Sequence, residues 1–194
     1  MPELKPFSWQ RMIEAVEAVR ERALRATGAL RDAGIPYAVA GGNAVAAWVA
    51  RVDRAAVRNT QDVDILVRRS DFAAVRQALE RVGFFYQKVL GVECFIDGPH
   101  GSPRDAIHLL FANEKVREEY ATPSADVSES EFADEYNVLT LEALVRMKLN
   151  SFRDKDRMHL RDLISLELID ATWLSLLPPP HAARLQQLID DPNG

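Results

Sequence analysis

The chain has 194 residues and a net charge of -5, with 47% hydrophobic and 27% charged residues. This composition is typical of a soluble globular protein, and the length suits one sizeable domain or a core domain with a helical appendage. The acidic balance argues against broad non-specific binding to nucleic acid, and the single cysteine, Cys94, excludes an internal disulfide framework or a cysteine-rich zinc site.

The sequence also carries information about the cellular compartment. Its first residues lack the apolar stretch of a signal peptide, and no apolar run approaches the length of a membrane span. A single cysteine fits a reducing environment. We therefore expect a cytoplasmic protein that does not contact a membrane.

The first predicted element is a helix from Met12 to Asp32, with Ser8 as a candidate N-cap. Gly34 and Pro36 end the pattern. Several apolar residues recur near helical spacing with charges between them: Ile13, Val16, Val19 and Leu24.

The next stretch predicts an α/β unit, in which two strands flank a helix. Tyr37–Ala40 is a short buried strand, the paired Gly41-Gly42 forms a turn, and Asn43–Val52 is an alanine-rich helix. A basic connection, Arg54–Asn59, leads into a second strand at Asp62–Val67.

Two acidic residues at the start of that second strand predict a metal site. Asp62 and Asp64 are two residues apart, so strand alternation points both side chains to the same face. Adjacent carboxylates repel each other, and hard divalent cations prefer carboxylate oxygen. Paired metals in phosphoryl-transfer sites lie about 3.5–4 Å apart, a span that two such side chains can bracket. The alternative is a strand-terminal aspartate that faces solvent.

The remainder of the core is predicted from its turn residues and apolar runs. Ser70 is a candidate cap for a further helix, and Phe84–Leu90 with Val92–Ile96 predicts a hairpin around a glycine. Asp97–Arg104 is a loop. Ala106–Ala112 is nearly continuous in its apolar character, which predicts a central strand.

The last third of the sequence is predicted to be mainly helical. Residues 123–135 are acidic and small, so we expect a solvated connector. Thr140 then caps a helix to about Phe152, Asp154 or Asp156 begins another that reaches Ile169, and two short helices flank the prolines at 178–180.

Two motifs in this order resemble the nucleotidyltransferase superfamily, the polymerase-beta-like fold. They are Gly41-Gly42-Asn43-Ala44 and Thr60-Gln61-Asp62-Val63-Asp64. The string from Leu144 to Leu163 is also similar to the tail of a minimal bacterial branch, which includes abortive-infection toxin-type proteins and lincosamide-nucleotidylating enzymes. The resemblance covers about residues 35–163. It implies an α/β (α+β) fold, a mixed sheet flanked by helices, with a core at 1–122 and a connector with a helical tail at 123–194.

The resemblance implies roles for the glycine turn and its neighbours. Backbone N–H groups at Gly41 and Gly42, at the start of a helix, would receive the phosphates of a nucleotide. Asn43 stands where the family usually has a hydroxyl residue, and its amide can still donate to phosphate. Thr60 would support the loop or a phosphate. A tight strand-to-helix turn is the alternative explanation of the paired glycines.

The resemblance also implies roles for the acidic strand. Asp62 and Asp64 would hold one or two Mg²⁺ ions during in-line attack on the α-phosphorus. The third carboxylate of the family falls at His108, and imidazole is a poor Mg²⁺ ligand. His108 is then either a general base toward an acceptor hydroxyl or the mark of a site that binds nucleotide without transfer. A lone histidine in an apolar strand is also ordinarily a core residue.

Lys148 is singled out by its place in an apolar stripe of the first tail helix. Burial of an unpaired ammonium is costly, so the side chain needs an anion or must reach the surface. The resemblance suggests the triphosphate as that anion.

These observations lead to two functional hypotheses. The first is a Mg²⁺-dependent nucleotidyltransferase that moves a nucleoside monophosphate from a nucleoside triphosphate to a hydroxyl of a small molecule, a tRNA end or a protein. The second is a nucleotide-binding or toxin–antitoxin-type interaction protein, with a partner protein and weakened catalysis.

Overall fold

The computed structural model describes residue 6 and residues 8–192. Its centre is one mixed β-sheet. The strands are β1 (Tyr37–Val39), β2 (Val63–Val67), β3 (Phe84–Val89), β4 (Val92–Asp97), β5 (Ile107–Phe111), β6 (Ser130–Ala133) and β7 (Tyr136–Leu139). The α-helices are α1 (Trp9–Asp32), α2 (Gly41–Ala50), α3 (Phe72–Arg81), α4 (Leu141–Ser151), α5 (Asp154–Ser165) and α6 (Pro179–Asp190).

The strand order across the sheet is β3-β4-β5-β2-β1-β7-β6. β2 runs parallel to β5 and antiparallel to β1, and β1 runs parallel to β7. The predicted α/β architecture, a mixed sheet flanked by helices with a helical C-terminal part, is therefore confirmed. None of the helices in the described part of the chain has the length and apolar character needed to cross a membrane.

Alternation along the central strands creates two cores, one on each face of the sheet. Ile65 and Ile107 pack with Leu30 of α1 and Leu79 of α3. On the other face, Leu66 belongs to a second core formed with helices α2, α4, α5 and α6. Because both faces are covered, β2 and β5 read as apolar runs, and β5 is interior as predicted.

The expectation of a solvated connector at residues 123–135 is wrong. Ala125 and Val127 are 3% and 4% exposed, and β6 lies within this segment. β6 pairs with β7, and Val138 of β7 pairs with Val39, so the segment extends the sheet beyond β1. The acidic side chains lower the mean hydropathy of the segment, so its few buried apolar residues are not evident from the sequence.

Helix α1 begins at Trp9, three residues before the predicted start, and Ser8 accepts a hydrogen bond from the backbone N–H of Arg11 as an N-cap should. The apolar spacing predicted the helix correctly, although it does not identify the buried face. Ile13 and Val16 are 51% and 42% exposed, because the buried residues of α1 lie in its second half, from Arg22 to Leu30.

Other helix boundaries differ by a few residues. A 3₁₀ turn at Arg69–Asp71 precedes α3, so Ser70 is not its N-cap. The helix after residue 154 ends at Ser165 rather than Ile169, because Glu167 adopts a left-handed conformation with φ of 57°. The Thr140 hydroxyl accepts from the backbone N–H of Ala143, which confirms the predicted cap of α4.

Candidate functional site

The turn between β1 and α2 depends on both glycines. Gly41 has φ of +62°, and a Cβ atom there would lie 1.9 Å from Asp64 Oδ2. A Cβ on Gly42 would lie 3.0 Å from the Cβ of Thr60. Ala40 offers no side-chain cap to the first turn of α2, so this helix begins with N–H groups that lack a side-chain acceptor at its N-cap. The glycines thus allow a carboxylate to approach the positive end of a helix.

Asp62 lies immediately before β2, although the predicted strand began at this residue. Its position is fixed by two neighbours. The Thr60 hydroxyl donates to Asp62 Oδ1 at 2.6 Å, and the Asn43 amide donates to the Asp62 carbonyl at 2.8 Å. Asn43 and Thr60 line a separate cavity of about 180 Å³, whereas Asp62 lines the main cleft. These two predicted site residues therefore hold the Asp62 loop in place.

His108 meets the two carboxylates because of the sheet register. It pairs with Asp64 across the parallel β2–β5 ladder, so both side chains point to the same face. His108 Nδ1 lies 3.7 Å from Asp62 Oδ2 and 3.8 Å from Asp64 Oδ1. The three side chains offer ligand atoms within 4.8 Å of one another. We call this group the acid–histidine cluster.

The two carboxyl groups of the cluster differ in acidity. Burial acts to raise the pKa of Asp62, but the Thr60 hydrogen bond and the charge of Lys155 outweigh it, and the pKa is lowered. Burial and the charge of Asp62 raise the pKa of Asp64. Two carboxylates held this close attract a cation, and the surroundings keep at least Asp62 ionised at neutral pH.

Lys148 is 5% exposed, so its side chain does not reach the surface. Its Nζ donates to His159 Nδ1 at 3.0 Å and lies 3.4 Å from Asp156 Oδ1. Burial lowers the Lys148 pKa, and Asp156 opposes that shift. Burial and Lys148 lower the His159 pKa to about 4, so this ring is neutral and accepts at physiological pH. Local sequence patterns predict no role for His159, because its partner Lys148 lies on another helix.

Asp156 connects this buried ammonium to the start of α5. Its carboxylate accepts from the Ser151 hydroxyl at 2.7 Å and from Arg153 Nε at 2.8 Å, and it also accepts from the Arg153 backbone N–H. Asp156 therefore caps the start of α5 from the third position of the helix, and the ion pair with Lys148 is additional. Lys155 was assigned no role, yet its Nζ lies 3.9 Å from Asp62 Oδ2.

Comparison with known proteins bears on the fold. No protein-family model matches the sequence, and no curated protein matches it. Among solved structures, the chain is similar to an antigenic nucleotidyltransferase-like protein from Paracoccidioides brasiliensis, with 16% identity and a TM-score of 0.58 over 91% of this chain and 89% of that one. It is also similar to ANT(2'')-Ia in complex with adenylyl-2''-tobramycin, with 14% identity and a TM-score of 0.56 over 88% of this chain and 98% of that one.

The chain has the nucleotidyltransferase fold. A solution structure of ANT(2'')-Ia, an antibiotic-resistance factor, gives the same result, with 14% identity and a TM-score of 0.55 over 88% of this chain and 92% of that one. The resemblance drawn from the glycine turn and the acidic strand is confirmed as a likeness of fold.

In this nucleotidyltransferase fold the acid–histidine cluster lies in a cleft of about 640 Å³ between two different walls. The ionic wall comes from the end of α4 and the start of α5: Lys148, Arg153, Lys155 and Asp156. The apolar wall comes from the β3–β4 hairpin, on the far side of β5: Val89, Leu90, Val92 and Cys94. Gly41 lines the same cleft, whereas the Gly42 position abuts Thr60.

Proposed function

We propose that this chain transfers a nucleoside monophosphate from a nucleoside triphosphate to a hydroxyl group. The acceptor oxygen bonds to the α-phosphorus, the bond to the bridging oxygen of the β-phosphate breaks, and pyrophosphate and a proton are released. The observation that carries this proposal is the acid–histidine cluster beside the glycine-started helix, inside the main cleft of a nucleotidyltransferase fold.

The donor atoms of the cluster fit a divalent cation. Asp62 Oδ2 and Asp64 Oδ1 lie close to the same nitrogen of His108, at 3.7 and 3.8 Å. Carboxylate oxygens are the ligands that Mg²⁺ and related hard cations prefer. When bound, such a cation supplies neutralisation of the charge on the triphosphate. Asp62 and Asp64 would hold it, and Thr60 keeps Asp62 oriented toward it.

We place the triphosphate between the start of α2 and the ionic wall. The first N–H groups of α2 have no side-chain cap, and the positive end of this helix favours an anion. Lys148 is held by Asp156 and His159 within the cleft lining, so its ammonium is pre-positioned. Arg153 and Lys155 add positive charge on the same side of the cleft. This local charge can neutralise phosphates even though the net charge of the chain is negative.

The acceptor then lies against the apolar wall, and we propose an uncharged hydroxyl compound with an apolar body. Leu90 is fully exposed at the hairpin turn with φ of 49°, a left-handed conformation that is uncommon for leucine. Val92 is 45% exposed beside it. Of the described residues, three acidic ones line the cleft, namely Asp62, Asp64 and Asp156. Asp156 is fully paired within the protein, so little negative charge remains for a polycationic acceptor such as an aminoglycoside.

The test is acceptor-dependent release of pyrophosphate. Purified protein is incubated with each of the four nucleoside triphosphates, a divalent cation and a matched series of aryl-alkyl alcohols that are uncharged, amine-bearing or phosphorylated. We expect release with one triphosphate and with the uncharged alcohols. Asp64→Asn should reduce the rate at least about 100-fold. Loss of a residue that hydrogen-bonds to a metal ligand already costs about 10- to 100-fold, and loss of the ligand itself should cost more. Asp134→Asn, in the exposed β6–β7 turn, is the matched control.

Calorimetry alongside this assay separates the alternative function. His108 stands where the family has a carboxylate, which is the observation that favours nucleotide binding without transfer. Calorimetry that detects triphosphate binding, with no pyrophosphate released for any acceptor, would replace the transferase proposal with that one. No binding of any of the four nucleotides would remove both.

A further inference from the structure

We propose that His108 is itself a metal ligand, and that it makes this site select a first-row transition-metal dication over Mg²⁺. This proposal concerns the same site as the transfer reaction, but its physical basis is independent of turnover. It rests on the tautomer and the orientation of the His108 ring.

The tautomer follows from one contact. His108 Nε2 lies 3.3 Å from the carbonyl oxygen of Pro103. A carbonyl oxygen only accepts, so Nε2 carries the proton in this hydrogen bond. In the neutral ring Nδ1 is then bare, and it lies 3.7 and 3.8 Å from the carboxylate oxygens of Asp62 and Asp64. Three groups that can each donate an electron pair therefore lie together, an arrangement that a cation among them stabilises.

The spacing fits an ion better than a shared proton. The separations of 3.7 and 3.8 Å from Nδ1 to the two carboxylates exceed the normal range of a hydrogen bond. Two ligands that each lie about 2.1 Å from one cation are at most about 4.2 Å apart, so both separations suit a common ion.

The protein fixes the ring from both sides. The β2–β5 register sets His108 beside Asp64, and Pro103 lies in a 3₁₀ turn whose N-cap, Ser102, accepts from the backbone N–H of Arg104. In metal sites, a histidine ligand typically donates a hydrogen bond from its second ring N–H group to a backbone carbonyl, as His108 does here. With Nδ1 on the cation and Nε2 donating to Pro103, neither ring nitrogen is free to take a proton from the hydroxyl of an acceptor substrate. A role for His108 as general base is therefore disfavoured.

The choice of cation follows from the ligand types. Mg²⁺ prefers oxygen, whereas imidazole nitrogen suits later first-row dications. A third carboxylate would give the cluster a charge of -3, but a neutral imidazole leaves -2, and Lys155 reduces the negative potential further from 3.9 Å. The affinity for Mg²⁺ relies mainly on charge. It therefore falls more than the affinity for a cation that also forms a strong bond to nitrogen.

The experiment measures metal binding without nucleotide. Calorimetry with CoCl₂ and with MgCl₂ gives the ratio of their dissociation constants for wild type, His108→Asp and the exposed loop control His100→Asn. We expect the preference for Co²⁺ over Mg²⁺ to fall about tenfold or more in His108→Asp and to be unchanged in His100→Asn. Pulsed electron paramagnetic resonance of bound Mn²⁺ should show coupling to a directly ligating ¹⁴N in wild type, and this coupling should be lost in His108→Asp.

A wild-type spectrum of bound Mn²⁺ without nitrogen coupling overturns the proposal, as does an equal Co²⁺/Mg²⁺ ratio in wild type and His108→Asp. The wild-type spectrum decides the matter even if the variant does not fold. Failure of the transfer assay leaves these measurements unaffected, so the two proposals fail separately.

Discussion

The two walls of the cleft differ in the burial and pairing of their side chains. In the ionic wall, charges are buried and already paired: Lys148 is 5% exposed and Asp156 is 2% exposed, and each contacts the other. In the apolar wall, Leu90 is fully exposed at a left-handed turn and Val92 is 45% exposed, whereas Cys94 is buried. Buried charges need partners, and the ionic wall supplies them within the protein, whereas the exposed apolar side chains of the hairpin are free to contact a ligand.

Under the proposed function, this difference divides the cleft between two substrates. The ionic wall and the start of α2 suit a polyanion whose position must be fixed. The apolar wall suits a neutral body that is recognised by contact area. The acid–histidine cluster lies between them, where an acceptor hydroxyl and an α-phosphate would meet.

The largest effect is expected where the cluster contacts the glycine turn. Gly41→Ala places a Cβ atom 1.9 Å from the present position of Asp64 Oδ2, so the carboxylate must move. Displacement of a reacting group by about 1 Å can cost about 100-fold in rate. Gly34→Ala is the matched control, because Gly34 also has positive φ, of +67°, but nothing lies within 4 Å of its Cβ position.

Thermal denaturation and transfer assays should then separate strain from displacement. Both variants should lose about 1–2 kcal/mol of stability from the left-handed backbone, but only Gly41→Ala should lose activity and metal binding. Equal activity in the two variants would mean that the approach of Asp64 to the helix start is unimportant.

The next effect concerns the ionic wall. Lys148→Met should weaken triphosphate binding about 10- to 100-fold, the worth of one charge-assisted hydrogen bond. Affinity for an uncharged acceptor should not change. Asp156 keeps Arg153 and Ser151 as partners, which limits the loss of stability. Lys115→Met in an exposed loop is the control. Unchanged triphosphate affinity by calorimetry would assign Lys148 a purely structural role.

The smallest effect is expected at the apolar wall. Val92→Asp should lower kcat/KM for an uncharged acceptor about tenfold and raise the relative rate with an amine-bearing one, because it replaces apolar contact with negative charge. Triphosphate affinity should stay the same. Val52→Asp makes the same change at a 55% exposed position outside the cleft lining. If both variants behave like wild type toward every acceptor, the acceptor does not contact the hairpin.

Local patterns in the sequence determined a large part of this protein. The apolar runs gave β1, β2 and β5, the hairpin around Gly91 lies where predicted, and Thr140 caps α4. Gly41 and the two nearby aspartates, which the same local patterns singled out, line one cleft. These predictions succeed because helix periodicity, strand alternation and turn chemistry act over a few residues.

Only the tertiary structure decided which distant groups meet. The register of two strands brings His108 to Asp64, and the packing of α4 on α5 brings His159 and Asp156 to Lys148. The acidic segment before residue 136 becomes a sheet edge because β1 offers an unpaired side to β7. Such contacts depend on how elements far apart in the chain pair and pack, and local residue patterns do not specify that arrangement.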